Sequence, residues 1–234
     1  MTIRVIDIET TGTDAAVDAI IEIASVDLLK DGTIANRQST LVRPGIPVLP
    51  ESSAVHHLID EDLAGAPPLM ELFKDADAYV AHNADFERSF LGPLLGDATW
   101  VCTYKAALRI WPDLPAHNSQ ALRYRLGLVN PFSIDRRTLS PHRALSDAIV
   151  TAAVFTEVLK HAKWGDLVQW SSEAALLSVL RFGKHRGERF DTVPADYLEW
   201  LAGGTHDMRE QVRFSARYWL GRRTAETAIE PAAA

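Results

Sequence analysis

Among 234 residues there is one cysteine, Cys102. An internal disulfide is therefore excluded, and a single thiol suits a reducing compartment. No pairing of Cys with His at zinc-ligand spacing occurs, and the eight histidines are scattered along the chain. A basic segment followed by an apolar run, the mark of a secretory signal, is missing from the N-terminus. No apolar stretch approaches the roughly 20 residues needed to cross a bilayer, so a cytoplasmic location is expected. An excess of positive charge is also lacking. The formal net charge is −7, which argues against a surface that coats nucleic acid through general cationic attraction. It leaves room for a carboxylate-rich metal site, which itself lowers the net charge.

The charge is unevenly spread. Residues 1–164 hold 15 Lys/Arg and 21 Asp/Glu, whereas residues 165–225 hold 9 and 8. The C-terminal part is thus the better place for contacts with a phosphate backbone. There the stretch "RFGKHRG" sets basic residues around a turn bounded by glycines, with Phe182 beside it. Such a turn can offer amides and cations to phosphate, or be a solvated hairpin tip.

Alternating β-branched residues in "IRVIDIE", a second apolar run in "AIIEIASVDLL" and the turn "KDGT" before "IANRQSTLVRP" predict three antiparallel strands. Further strands are predicted at "AYVAH" and "TWVCT". Helices are predicted near 68–73, at "ADFERSFL" with a break at Gly92-Pro93, at "YKAALRIW", and at "SQALRYRLG" up to Gly127. Residues 128–141 read as a polar loop before a long amphipathic helix, "ALSDAIVTAAVFTEVLKHA". After Trp164 the texture changes, with a hairpin around "VLRFGKHRGERFDTVP", helices at "ADYLEWLA" and "MREQVRFSARYWLGRR", and a tail at 224–234 expected to be disordered. The expected organisation is one domain over 1–163 and a small, mainly helical module over 178–223.

Chemistry concentrates in three places. Asp7 and Glu9 lie two apart on the first strand and so share a face. Two carboxylates on an otherwise apolar strand are costly without partners, and a shared divalent cation would satisfy both; a polar strand end is the alternative. Second, "HRALSDA" carries His142 and Asp147. Five helical residues span about 140°, so His142 belongs on the preceding loop, beyond Pro141, with Asp147 in the first turns of the helix. A helix-entry histidine and a dipole-complementing surface acid are the other reading. Third, "VAHNADFERSF" holds Asp85 and Glu87. Helical residues two apart point about 200° apart, so both cannot face one site. Phe90 and Leu91 lie three and four residues beyond Glu87 on an apolar stripe, whereas Asp85 shares its side with Ser89. Glu87 is expected to face the core and Asp85 water.

Taken together, "DIE", "HNADFE" and "HRALSD" resemble the three ordered motifs of the DEDDh 3′→5′ exonucleases, the family of proofreading exonuclease subunits. "IIEIASVDLLKDG", "TLVRP", "VHHLIDEDLAGAP", "WVCTYKAALRIWP" and "FGKHRGERFDTVPADYLEWL" extend the likeness to the bacterial exodeoxyribonuclease X branch, over about residues 1–222. The resemblance implies an RNase H-like α/β fold with a mixed central sheet flanked by helices. It also implies two divalent cations, Mg²⁺ or Mn²⁺, held by Asp7, Glu9, Glu87 and Asp147, with His142 as general base. The substrate implied is DNA, single-stranded or duplex at its 3′ end, with RNA as the alternative within the same motif set; a nucleic-acid-binding subunit with weak catalysis is a further reading. One position departs from the family's pattern, which has aspartate where this chain has Glu87. The backbone of Thr10, Thr11 and Gly12, and the side chain of His57, are expected near the terminal nucleotide. Structural roles are expected for His82 and Asn83, the latter tying a turn through its side chain. Lys105 and Arg109 are read either as a solvated face or as phosphate contacts, and Trp111, Trp164, Trp170, Trp200 and Trp219 as packing residues.

Overall fold

The computed structural model describes residues 1–69, 73, 75–203 and 208–229. Its strands are β1 (Ile3–Thr10), β2 (Ile20–Leu28), β3 (Ile34–Leu41), β4 (Ala78–Ala81) and β5 (Thr99–Cys102). They form one sheet in the order β3-β2-β1-β4-β5. The first three make the expected antiparallel meander. The turn between β2 and β3 works because Gly32 adopts φ 83° and the Asp31 carboxylate accepts the Thr33 N–H at 2.9 Å. β4 then lies parallel to β1, and β5 parallel to β4.

Parallel pairing requires crossovers. One passes through α1 (Pro50–His56) and α2 (Asp60–Leu63), the other through α3 (Asp85–Leu95). The helices that follow are α4 (Thr103–Ile110), α5 (Ser119–Arg125), α6 (Ala144–Val158), α7 (Trp164–Ser172), α8 (Ala195–Gly203) and α9 (Glu210–Ile229). The helix expected near 68–73 falls mostly outside the described residues.

Both faces of β1 are covered, which explains its apolar character. Val5, Val26, Val80 and Val101 pack with Val150, Val154 and Phe155 of α6. On the other face Ile6, Ile8, Ile23 and Tyr79 pack with Leu91 of α3. α6 was expected to be amphipathic, but it is buried nearly all round, because it lies on β1 and β2 with α4 and α5 on its flanks. α3 also differs from expectation, continuing through Gly92-Pro93 to Leu95. Pro93 costs a single hydrogen bond there, and Gly96 ends the helix at φ 58°.

α7 packs against β5, and the Ser171 hydroxyl accepts the Cys102 N–H at 2.8 Å. The first unit therefore extends one helix beyond residue 163. A second core of Leu180, Phe190, Val193, Leu198, Leu201 and Val212 joins the hairpin to α8 and α9. α9 runs through Ile229, into the segment expected to be disordered. Arg223 anchors it, donating to the carbonyls of Phe190 and Asp191, and the alanines and glutamate beyond it are strong helix formers.

Candidate active site

The expected acidic residues converge outside the C-terminal ends of β1 and β4, where an open α/β sheet leaves a crevice. Asp7, Glu9, Asp147 and His142 line one cleft of about 490 Å³, together with His82, Phe86 and Gln120. One ligand atom from each of Glu9, His142 and Asp147 lies within 4.8 Å of the other two. Asp147 occupies the first turns of α6. Its Oδ1 accepts from Gln120 Nε2 at 2.8 Å, and its Oδ2 accepts the His142 backbone N–H at 2.6 Å. That second bond holds His142 in the left-handed region, φ 57°, a conformation few non-glycine residues adopt. Its ring stays exposed on the loop before α6.

Glu87 and Asp85 part company as helical geometry requires. Glu87 is 3% exposed, and its Oε2 has no hydrogen-bond partner among the described residues. Asp85 is exposed at the start of α3 and pairs with Lys105 Nζ at 2.8 Å. Lys105 is itself buried and also donates to the Ser171 carbonyl at 2.9 Å. Neither Lys105 nor Arg109 forms a solvated face. Arg109 pairs with Glu173 and lies over the rings of Trp170, Phe214 and Tyr218, so Lys105 ties α4 to α3 and α7, while Arg109 packs between α4, α7 and α9.

The electrostatics of the cleft are unfavourable to its own charges. Burial, and then the charge of Glu87, hold Asp7 well above the usual carboxylate range. Glu9 is pushed up to about 8 by burial and by Asp147 and Glu22, with Arg143 opposing. Glu87 reaches about 8, chiefly through burial. Asp147 is raised by burial despite its two hydrogen bonds. Four carboxylates crowded this way, one with an orphaned oxygen, form the donor set that hard divalent cations prefer. The residues present fit such a group.

Three further residues support the cleft. Glu22 stands opposite Glu9 in the strand register. It accepts from Arg143 Nε at 3.1 Å, Arg143 Nη2 at 3.0 Å and the Ala144 amide at 3.2 Å. β2 is thereby tied to the N-terminus of α6, one residue past His142. An acid inside the apolar run "IIEIASV" was the available signal for it. Gln120 carried none, because its role depends on α5 reaching Asp147 across 27 residues.

Other expectations met mixed outcomes. His82 sits at the end of β4 with Nδ1 2.9 Å from Thr103 Oγ1, and burial lowers it to about 4. Asn83 shapes its turn through a left-handed backbone, φ 71°, and a carbonyl that accepts Phe86 N–H, rather than through its side chain. Thr10 and Thr11 are buried, and the Thr11 amide already donates to the Ala19 carbonyl at 2.9 Å, so that amide is not open to a nucleotide. A Cβ at Gly12 would run into the Asp18 carboxylate, which explains the glycine. His57 is exposed at the end of α1, φ 59°, while its neighbour His56 is buried against the backbone of Thr10. Trp111, Trp164 and Trp170 pack on the first core and Trp219 on the second, but Trp200 is 46% exposed beside Tyr197.

A mixed five-stranded sheet with four crowded carboxylates and a loop histidine at its crevice defines the class: an RNase H-like nuclease with a divalent-cation site. The family described as Exonuclease (RNase T) matches residues 5–155. Exodeoxyribonuclease 10 of Escherichia coli is 32% identical over 227 residues, covering 93% of this chain and 98% of that protein. The DNA polymerase III subunit epsilon of Treponema pallidum is 34% identical over 169 residues, 66% of this chain and 75% of that one. Among solved structures, exonuclease X in complex with 5′-overhanging duplex DNA matches with a TM-score of 0.60 and 32% identity, over 73% of this chain and 99% of that one. The nuclease domain of 3′hExo, a DEDDh family member bound to rAMP, shares the fold at a TM-score of 0.52 and 19% identity, over 68% of this chain and 92% of that one. This chain belongs to the Exonuclease (RNase T) family.

Proposed function

We propose that this protein is a 3′→5′ exodeoxyribonuclease that releases nucleoside 5′-monophosphates, serving DNA repair or proofreading. The observation that carries the reading is the convergence of Asp7, Glu9, Glu87 and Asp147, each driven toward the neutral form by burial, and all but Asp147 also by neighbouring acids. Proteins keep such a cluster where a cation resolves it.

Asp7, Glu9, Glu87 and Asp147 would hold two divalent cations, Mg²⁺ or Mn²⁺. When bound, such ions supply positive charge to both the attacking and the leaving oxygen of a phosphodiester. His142 accepts the proton of the attacking water, a task for which an imidazole is suited near neutral pH. The water oxygen bonds to phosphorus and the bond to the 3′-oxygen of the penultimate nucleotide breaks. That oxygen takes a proton from solvent, leaving a new 3′ hydroxyl. Asp147 positions His142 through the amide it accepts. Thr10, at the end of β1, Gly12 just beyond it, and His57, at the end of α1, would meet the terminal nucleotide. No helix among the described residues is long and apolar enough to cross a membrane, and a cytoplasmic site of action is part of this proposal.

The test is incubation of 5′-labelled single-stranded DNA, duplex DNA and RNA with Mg²⁺, Mn²⁺ or EDTA. Metal-dependent shortening of DNA from the 3′ end is expected, with mononucleotides as product. Faster shortening of RNA would replace the reading by an exoribonuclease or oligoribonuclease. Binding without shortening of any substrate would leave a nucleic-acid-binding subunit with weak catalysis.

A further inference from the structure

Two hollows meet at Tyr104, whose ring touches a residue lining the acidic cleft. His82 lines the acidic cleft, and its ring meets that of Tyr104 edge-on at 5.8 Å. Tyr104 belongs in turn to both hollows, which share Arg209. The first, about 560 Å³, reaches back to Asn83 and Asp85. The second, about 460 Å³, is floored by Leu180 and Val212 and edged by Arg181, Phe182 and Arg209. Tyr104 thus stands between the cleft and the C-terminal hairpin, one ring away from each.

The cleft and the hairpin differ in charge and in chemistry. The cleft is anionic and would repel a phosphate backbone unaided. On the hairpin, Arg181, Lys184 and Arg186 are all exposed, and the Phe182 ring is 36% exposed. The hairpin is also held in shape. Gly183 adopts φ 70°, and a Cβ there would collide with the Tyr197 hydroxyl. The His185 ring packs edge-on against Tyr197 at 4.6 Å. Cations and aromatic faces presented together on a fixed groove are what single-stranded nucleic acid requires, because the backbone needs positive charge and every base has a face to stack. An apolar peptide would need the floor alone, and would leave the arginine rim without a role.

We propose that the groove between Tyr104 and the 178–190 hairpin binds the single-stranded DNA segment that leads to the 3′ end in the acidic cleft. Arg181 and Arg209 hold its phosphates, and Tyr104 and Phe182 stack on its bases. The direction of the strand rests on the nuclease reading; the groove itself does not.

The test uses the full chain in EDTA, so that no strand is cut, with fluorescein-labelled oligo(dT) of increasing length titrated at several salt concentrations. Affinity is expected to rise up to a length of roughly 6–12 nucleotides. In a Phe182→Ala, Arg181→Ala double variant the advantage of a 12-mer over a 3-mer falls about tenfold or more, and the salt slope falls by about 0.7 for the lost cation. Equal affinity of the wild-type chain for 3-mer and 12-mer, or an undiminished 12-mer advantage in the variant, overturns the proposal. Should the variant fold poorly, photocrosslinking of wild-type protein to 4-thiothymidine placed several nucleotides from the 3′ end decides alone. Label on the peptide holding Phe182 supports the groove, and label confined to the cleft overturns it. Hydrolysis of the p-nitrophenyl ester of thymidine 5′-monophosphate by the wild-type chain reads the nuclease proposal separately. Its failure beside length-dependent binding sinks that reading and leaves the groove standing.

Discussion

The acidic cleft and the C-terminal module handle charge in opposite ways. In the cleft, burial and neighbouring acids raise Asp7, Glu9 and Glu87, burial raises Asp147, and one carboxylate oxygen of Glu87 lies buried without a hydrogen-bond partner among the described residues. In the module Asp191 and Glu210 each pair with an arginine, and Glu188 with His185. The Arg189 guanidinium beside Asp191 lowers that carboxyl, and the same side chain reaches Asp113. Arg223 is spent on the carbonyls of Phe190 and Asp191. Compensated charge builds structure, whereas charge left uncompensated inside a fold marks the place where something must bind.

The contrast breaks most sharply at α3. Glu87→Gln is expected to lower kcat with Mg²⁺ by about 10³-fold, corresponding to about 4 kcal/mol of lost transition-state stabilisation. Asp85→Asn should keep activity within a few-fold. Loss confined to the second variant would mean that Asp85, and not Glu87, is the acid the cation needs.

Protonation gives the next largest effect. Glu9 and Glu87 titrate near 8 in the folded, metal-free chain, against about 4.5 for an ordinary glutamate. A carboxyl raised by folding contributes stability that is complete below about 4.5 and lost as pH rises through about 8. In EDTA the melting temperature should therefore fall between pH 5 and pH 9, and added Mg²⁺ should restore most at the alkaline end. Glu87→Gln in EDTA should melt above wild type at pH 9 and with it at pH 5. A flat melting profile in EDTA would remove the electrostatic distinction between the two regions.

Where the regions join, Arg109→Ala should destabilise the chain by about 2 kcal/mol, since it loses the Glu173 pair and three ring contacts in one partly buried place. Arg109→Lys should recover little of this, because an ammonium lacks the planar face. Chemical denaturation measures both. The smallest effect belongs to Gly183→Ala, about 1–2 kcal/mol for a side chain at positive φ against Tyr197. Hydrogen exchange should localise that loss to the hairpin and α8, leaving β1 protected; spread into the sheet would show that the two cores fold as one.

Much of the site was legible before any coordinates. Period two on β1 places Asp7 and Glu9 together, and the stripe of Phe90 and Leu91 turns Glu87 inward. Local periodicity is enough there, since each inference concerns neighbours on one element. Glu22 with Arg143 escaped notice, as did Gln120 with Asp147 and Asp85 with Lys105. Each of those pairs joins elements that are distant along the chain, and nothing local to either member announces the other. The same reason explains why Lys105 and Arg109, four apart on one helix, passed for a solvated face: the α7 and α9 surfaces that cover them are 60 to 110 residues away.

By itself, then, the sequence determined the five strands, most of the helices, and which acids face inward, because hydrophobic periodicity and turn chemistry act over a few residues. Only the tertiary structure decided that those acids are crowded past the point where each can ionise freely, that Asp85 is bound by Lys105, and that Tyr104 links the cleft to the basic hairpin. Those outcomes depend on distances between elements, and electrostatic energy depends on distance and burial rather than on order along the chain.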